Sequence, residues 1–173
     1  MNLVLIGYRG TGKSRVAEIL SGVLGIKSIC MDAEIVRKAG LSIPEIVEKA
    51  GWDRFRDIET EAVLQVSQLE NVVVDTGGGV IERPENIKAL KKTGIVFWLK
   101  ASVDVIVARI ESGTERPSLT EGKTFTEEVA EVLAKRTRKY SSAAQYEIDT
   151  DPLTPHQVAD RIIEIWKKFQ EAV

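Results

Sequence analysis

Short, β-branched apolar runs alternate along this chain with longer stretches whose apolar positions recur every three to four residues. Five runs read as strands: Leu3 to Ile6, Lys27 to Cys30, Val72 to Asp75, Ile95 to Leu99 and Tyr146 to Asp149. Helices are expected near Lys13 to Leu24, Asp57 to Gln68, Ala101 to Glu111, Thr126 to Tyr140 and Thr154 to Phe169. Apolar strands separated by amphipathic helices form βα units on a parallel sheet covered on both faces, so the expected fold class is α/β. The last helix has a clear start, because Thr154 can cap it and Pro155 suits its first turn, where a missing N–H is no loss. About forty residues lie between the second and third strands, room for more than one helix, and an insertion at about 32–61 is expected to bind a substrate. A second irregular stretch, 112–125, holds Gly113, Pro117 and Gly122 among charged and hydroxyl residues and is expected to act as a lid.

Composition narrows the class. The 173 residues suit one domain spanning 1–173, with enough chain to bury an apolar core without disulfide or metal staples. The 24 basic and 26 acidic residues are mixed along the sequence and leave a net charge of -2, so no basic stripe offers a surface to nucleic acid or a membrane. The single cysteine, Cys30, has no internal disulfide partner, and the chain runs from Met1 straight into an apolar strand, which together point to the cytoplasm. A monomer is the default expectation.

The strongest chemical signal is Gly7-Tyr8-Arg9-Gly10-Thr11-Gly12-Lys13-Ser14, a full G-x-x-x-x-G-K-S match between an apolar strand and an amphipathic helix. Glycines there let successive backbone N–H groups face a phosphate, and the helix that follows adds its positive dipole end. A nucleotide is the expected ligand, its phosphates held by Gly10, Thr11, Gly12, Lys13 and Ser14; Lys13 would reach the β- and γ-phosphates and the Ser14 hydroxyl would sit on Mg²⁺. The motif alone leaves kinase, switch and motor open. A small chain with a lid, an insertion and no guanine-specific Asn-Lys-x-Asp favours a small-molecule kinase.

Four further features stand out, three of them at strand ends, where open α/β folds bind ligands. Asp32 and Glu34 follow the second strand and could hold metal-bound water or accept a proton from an attacking hydroxyl, or else serve a helix dipole. Arg54 and Arg56 stand among acids in the insertion, and an arginine fork binds both oxygens of a carboxylate. Asp75 either orients metal-bound water or caps a turn. Gly77, Gly78 and Gly79 bring bare backbone within reach of a ligand.

Taken in order, the phosphate loop, Asp32 with Glu34, Phe55-Arg56 with Glu59, Gly77-Gly78-Gly79, Arg116-Pro117, Arg136 with Tyr140, and Ile148-Asp149-Thr150 before Pro155 resemble the shikimate kinase family over nearly the whole chain. That resemblance implies a three-layer P-loop kinase with a five-stranded parallel sheet of order 2-3-1-4-5. It implies phosphorylation of the 3-hydroxyl of shikimate, with ATP and Mg²⁺, in chorismate and aromatic amino acid biosynthesis. It further implies that Glu34, Arg56, Gly78 and Arg136 hold shikimate, the arginines on its carboxylate, with Gly77 and Gly79 beside them. Asp32 would face the Mg²⁺ shell with Ser14, and Lys13, Glu34 and the lid residue Arg116 would serve catalysis. Arg109, Thr150 and Pro155 would frame the adenine, with Arg116 closing over the phosphates. Glu34 stands where the family usually has a second aspartate. The rival readings are a related kinase acting on gluconate, a nucleoside monophosphate or aminoshikimate, and a catalytically silent nucleotide-binding module; an assay of ATP consumption with candidate acceptors separates them.

Overall fold

The computed structural model describes residues 1–111 and 124–171. Five strands form one sheet: β1 (Asn2–Ile6), β2 (Lys27–Cys30), β3 (Val72–Asp75), β4 (Gly94–Lys100) and β5 (Tyr146–Asp149). Their order is β2-β3-β1-β4-β5, and all four pairings are parallel. The helices between them are α1 (Lys13–Leu24), α2 (Met31–Ala39), α3 (Ile43–Val66), α4 (Pro84–Thr93), α5 (Val103–Glu111), α6 (Phe125–Ala143) and α7 (Pro155–Glu171).

The central strand β1 shows why the sheet needs cover on both sides. Successive side chains point to opposite faces, so Leu3 and Leu5 enter one apolar cluster with Val16 and Leu20 of α1 and Val158 and Ile162 of α7. Val4 and Ile6 enter the other, with Ile35 of α2, Phe55 and Val63 of α3, Leu90 of α4 and Tyr140 of α6. A smaller cluster of Tyr8, Ile106 and Val129 joins the phosphate loop to α5 and α6.

The strands and their order agree with the expectation, and the helices differ in three places. The helix expected from Asp57 begins at Ile43, where Ser42 and Glu45 form a reciprocal capping box. It is broken at Gly51, whose φ of 79° and ψ of 171° no helix accommodates. Between β3 and β4 lies α4, which was not anticipated: Pro84 starts it, and only Asn86, Ala89 and Leu90 are buried, too few apolar positions to print a helical period. At 32–61 the expected insertion is α2 and the first part of α3, folded against each other. Of the expected lid, Arg116 and the rest of 112–123 lie outside the described residues.

Candidate active site

The site grows from the carboxyl ends of β1, β2 and β3. Past β1 the chain turns through Gly7, whose φ is 146°. A Cβ at that position would stand 2.5 Å from the Leu99 carbonyl oxygen, so glycine alone lets the loop lie against β4. The Thr11 hydroxyl donates to the Tyr8 carbonyl at 2.8 Å and closes the turn. Lys13, buried, curls back over its own loop and donates to the carbonyls of Gly7 at 2.8 Å and Tyr8 at 3.1 Å. Ser14 Oγ donates to Asp75 Oδ2 at 2.6 Å, tying the first turn of α1 to the end of β3. Gly10, Gly12, Lys13, Ser14, Cys30 and Asp75 line a cleft of ≈ 340 Å³.

A second cleft, of ≈ 290 Å³, opens beside it between the phosphate loop, α3, the triple glycine and α6. Arg9, Asp32, Gly77 and Gly78 line both clefts, so the two adjoin along those residues. In the second cleft Arg56 Nη1 donates to Glu59 Oε2 at 2.6 Å, and its guanidinium lies over the rings of Phe55 and Trp52. Arg136 Nε donates to Glu82 Oε1 at 2.7 Å, and Lys139 bonds the other oxygen of Glu82. Burial works against the Glu82 carboxylate, yet the hydrogen bonds from Lys139 and Arg136 outweigh it and hold its pKa below the usual range. The Tyr140 hydroxyl donates to the Gly78 carbonyl, and burial keeps that phenol protonated far above its ordinary pKa.

Glu59 is the unusual group here. It is 1% exposed, and its Oε1 has no hydrogen-bond partner. Burial pushes its pKa up, with the Arg56 guanidinium opposing and the Asp32 carboxylate adding to the rise. A Cβ built on Gly77 would meet Asp32 Oδ1 at 3.1 Å and Glu59 Oε1 at 3.2 Å. One built on Gly79 would sit 2.1 Å from Arg56 Nη2. The triple glycine is therefore the surface on which the charged groups of the cleft rest.

Most residues expected at the site converge. Lys13, Ser14, Gly10 and Gly12 face one cleft; Arg56, Arg136 and Gly77 to Gly79 face the other. Thr11 is buried within the loop. Arg109 bridges Gly10 and Thr150, donating to the Gly10 carbonyl at 3.4 Å and the Thr150 hydroxyl at 3.1 Å. Pro155 is exposed at the first turn of α7. The acid pair is split. Asp32 lines both clefts, whereas Glu34 lines neither, its carboxylate taken by Arg37 at 2.7 Å on the outer side of α2. The cause is local: β2 ends at Cys30 and α2 starts at Met31, so residues two apart point about 200° from one another rather than along one strand face. Arg116 lies outside the described residues.

Arg9, Glu59 and Asp75 also belong to the site, and spacing alone signalled their roles weakly. Arg9 lies inside the phosphate motif but reaches across to Glu128 of α6 at 2.9 Å, a partner 119 positions away. For a divalent cation, Ser14 and the carboxylates of Asp75 and Asp32 are the hard oxygen donors at hand. Among the described residues no group of three or more His, Cys, Asp or Glu forms a cage. That donor set fits Mg²⁺, which takes most of its ligands from phosphates and water.

A family model described as shikimate kinase matches residues 9–167. A protein named shikimate kinase from Thermodesulfovibrio yellowstonii is 41% identical over 168 residues, covering 97% of this chain and 96% of that protein. Among solved structures, shikimate kinase from Acinetobacter baumannii in complex with shikimate superposes with a TM-score of 0.88 at 31% identity, over 96% of this chain and 93% of that one. Shikimate kinase from Aquifex aeolicus gives 0.81 at 30% identity, with each chain covered in full. A gluconokinase from Sinorhizobium meliloti gives 0.62 at 14% identity over 99% of this chain and 94% of that one, a likeness of fold alone. With a family model spanning nearly its whole length and relatives this similar end to end, the chain belongs to the shikimate kinase family.

Proposed function

We propose that the protein transfers the γ-phosphoryl group of ATP to the 3-hydroxyl of shikimate, with the nucleotide in the cleft of the phosphate loop and the acid in the cleft of the triple glycine. The observation that carries this reading is the pair Arg56 and Arg136, two guanidinium groups lining one cleft of ≈ 290 Å³ beside the nucleotide cleft. Two forks converging on one small space select an anionic acceptor over a neutral sugar, because a carboxylate satisfies both at once. Glu59 and Glu82 hold the two forks in place.

Asp32, which lines both clefts, takes the role at the acceptor hydroxyl that the family resemblance had given to Glu34. It orients that hydroxyl toward the nucleotide and receives its proton as the new P–O bond forms and the bond to ADP breaks; a loose transition state asks little more of a base. Lys13 exchanges its loop carbonyls for the phosphate oxygens and follows the charge that moves to the leaving group. Arg109 and Thr150 frame the base, and Arg116, outside the described residues, would add positive charge at the transferring group. Mg²⁺, when bound, neutralises charge on the β- and γ-phosphates. One chain lines both clefts, which supports a working monomer, and no described helix is long and apolar enough to cross a membrane, in keeping with a cytoplasmic enzyme.

Steady-state kinetics of the Arg136→Met variant test the acceptor assignment. The KM for shikimate is expected to rise on the order of tenfold to a hundredfold, the size of a lost charge-assisted hydrogen bond, with the KM for ATP little changed. A comparable rise in the KM for ATP would sink the assignment.

A further inference from the structure

β2 and β3 run parallel with Cys30 directly opposite Asp75, and both strands end there. The two residues line the nucleotide cleft together with Ser14. Of the pair, only Asp75 offers oxygen, and it is nearly buried, with Oδ2 2.6 Å from Ser14 Oγ. A hydroxyl and a carboxylate so close are two hard donors side by side, the set that holds a hard divalent cation against nucleotide phosphates in P-loop enzymes. A thiol in the neighbouring position favours softer ions. Asp32 lines the nucleotide cleft too, but its Oδ1 lies with Glu59 Oε1 against Gly77, and it shares the acceptor cleft with Arg56 and Arg136.

We propose that the carboxylate holding the nucleotide's Mg²⁺ comes from β3, as Asp75 acting with Ser14, and that Asp32 is left to the acceptor. The inference rests on reading the phosphate-loop cleft as the nucleotide site. It makes the metal pair a clip between α1 and β3, already formed by a hydrogen bond before nucleotide arrives. Because Cys30 and Asp75 are register neighbours, an acid supplied from either strand end would reach the same corner of the cleft.

The test uses the full chain, ADP and Mn²⁺ in place of Mg²⁺, with bound Mn²⁺ read by electron paramagnetic resonance and no acceptor present. Asp75→Asn should weaken Mn²⁺ binding to the ADP complex on the order of tenfold to a hundredfold, with the melting temperature and metal-free ADP affinity unchanged. Asp32→Asn should keep the Mn²⁺ affinity. Adding Cys30→Asp to the Asp75→Asn variant should restore it. A second measurement needs no variant: in the unmodified protein, Mn²⁺ with ADP should broaden the side-chain carboxyl carbon signal of Asp75 more than that of Asp32. Parent-like affinity in Asp75→Asn, or stronger broadening at Asp32, overturns the proposal. Neither readout requires shikimate, so a wrong acceptor and a wrong metal ligand give separate failures.

Discussion

Arg56 keeps its position because Gly79 has no side chain. The guanidinium lies where a Cβ would be, 2.1 Å from Nη2, while Glu59 holds its far edge. Gly79 has a φ of -101°, so an alanine there meets no backbone strain and must displace the arginine instead. Gly79→Ala is expected to leave the melting temperature nearly unchanged and to raise the KM for shikimate about tenfold, equivalent to roughly 1.4 kcal/mol. An unchanged KM would mean that Arg56 does not touch the acceptor. Glu59 makes a different prediction, through pH. Its folded pKa is raised, chiefly by burial, so its favourable contribution to stability is present below the unfolded carboxylate pKa and lost as pH rises through the folded one. The melting temperature of Glu59→Gln minus that of the parent should therefore climb as pH rises above the ordinary carboxylate range, and a flat difference would contradict it. At this scale the sequence was legible where the backbone motif decides position, as with Lys13 and Ser14. It was illegible where one residue of register decides direction: nothing in the order Asp32-Ala33-Glu34 reveals that a helix has already begun at Met31.

Among the elements, α3 does the most to shape the acceptor cleft, and its break at Gly51 aims it. The segment before the break carries Ile43 and Pro44 to one wall; the segment after it carries Trp52, Phe55, Arg56 and Glu59 to another. With φ at 79° and ψ at 171°, Gly51 occupies a region nearly closed to other residues. Gly51→Ala is expected to cost about 1–3 kcal/mol, seen as a lower melting temperature, and to raise the KM for shikimate more than that for ATP. Equal effects on both substrates would place the kink outside acceptor binding. The inner strands β1, β3 and β4 were legible because apolar runs such as Val72-Val73-Val74 are buried on both faces of the sheet, whereas the edge strands β2 and β5 each bury one isoleucine and carry a weaker signal. The helices around the clefts were less legible. α4 buries three residues of ten, and only the part of α3 from Asp57 onward was placed as a helix, because Gly51 interrupts its period.

For the molecule as a whole, the arrangement sets two small clefts side by side at one edge of a sheet whose faces are fully covered. Shared residues make the clefts a single working site: Asp32, Gly77 and Gly78 belong to both, and Arg9 ties the phosphate loop to α6 by a nearly buried ion pair with Glu128. α6 also carries Arg136, so the element proposed to hold the acceptor is braced against the loop proposed to hold the nucleotide. Phosphoryl transfer then depends on positioning two anions against converging cations, which is where most of the catalysis of such reactions lies. The most direct test is ADP release by the purified protein with ATP and Mg²⁺, comparing shikimate with gluconate, nucleoside monophosphates and no acceptor. Saturable release with shikimate alone is the predicted result; release that is equal without an acceptor, or that follows gluconate or a nucleoside monophosphate instead, would contradict the account.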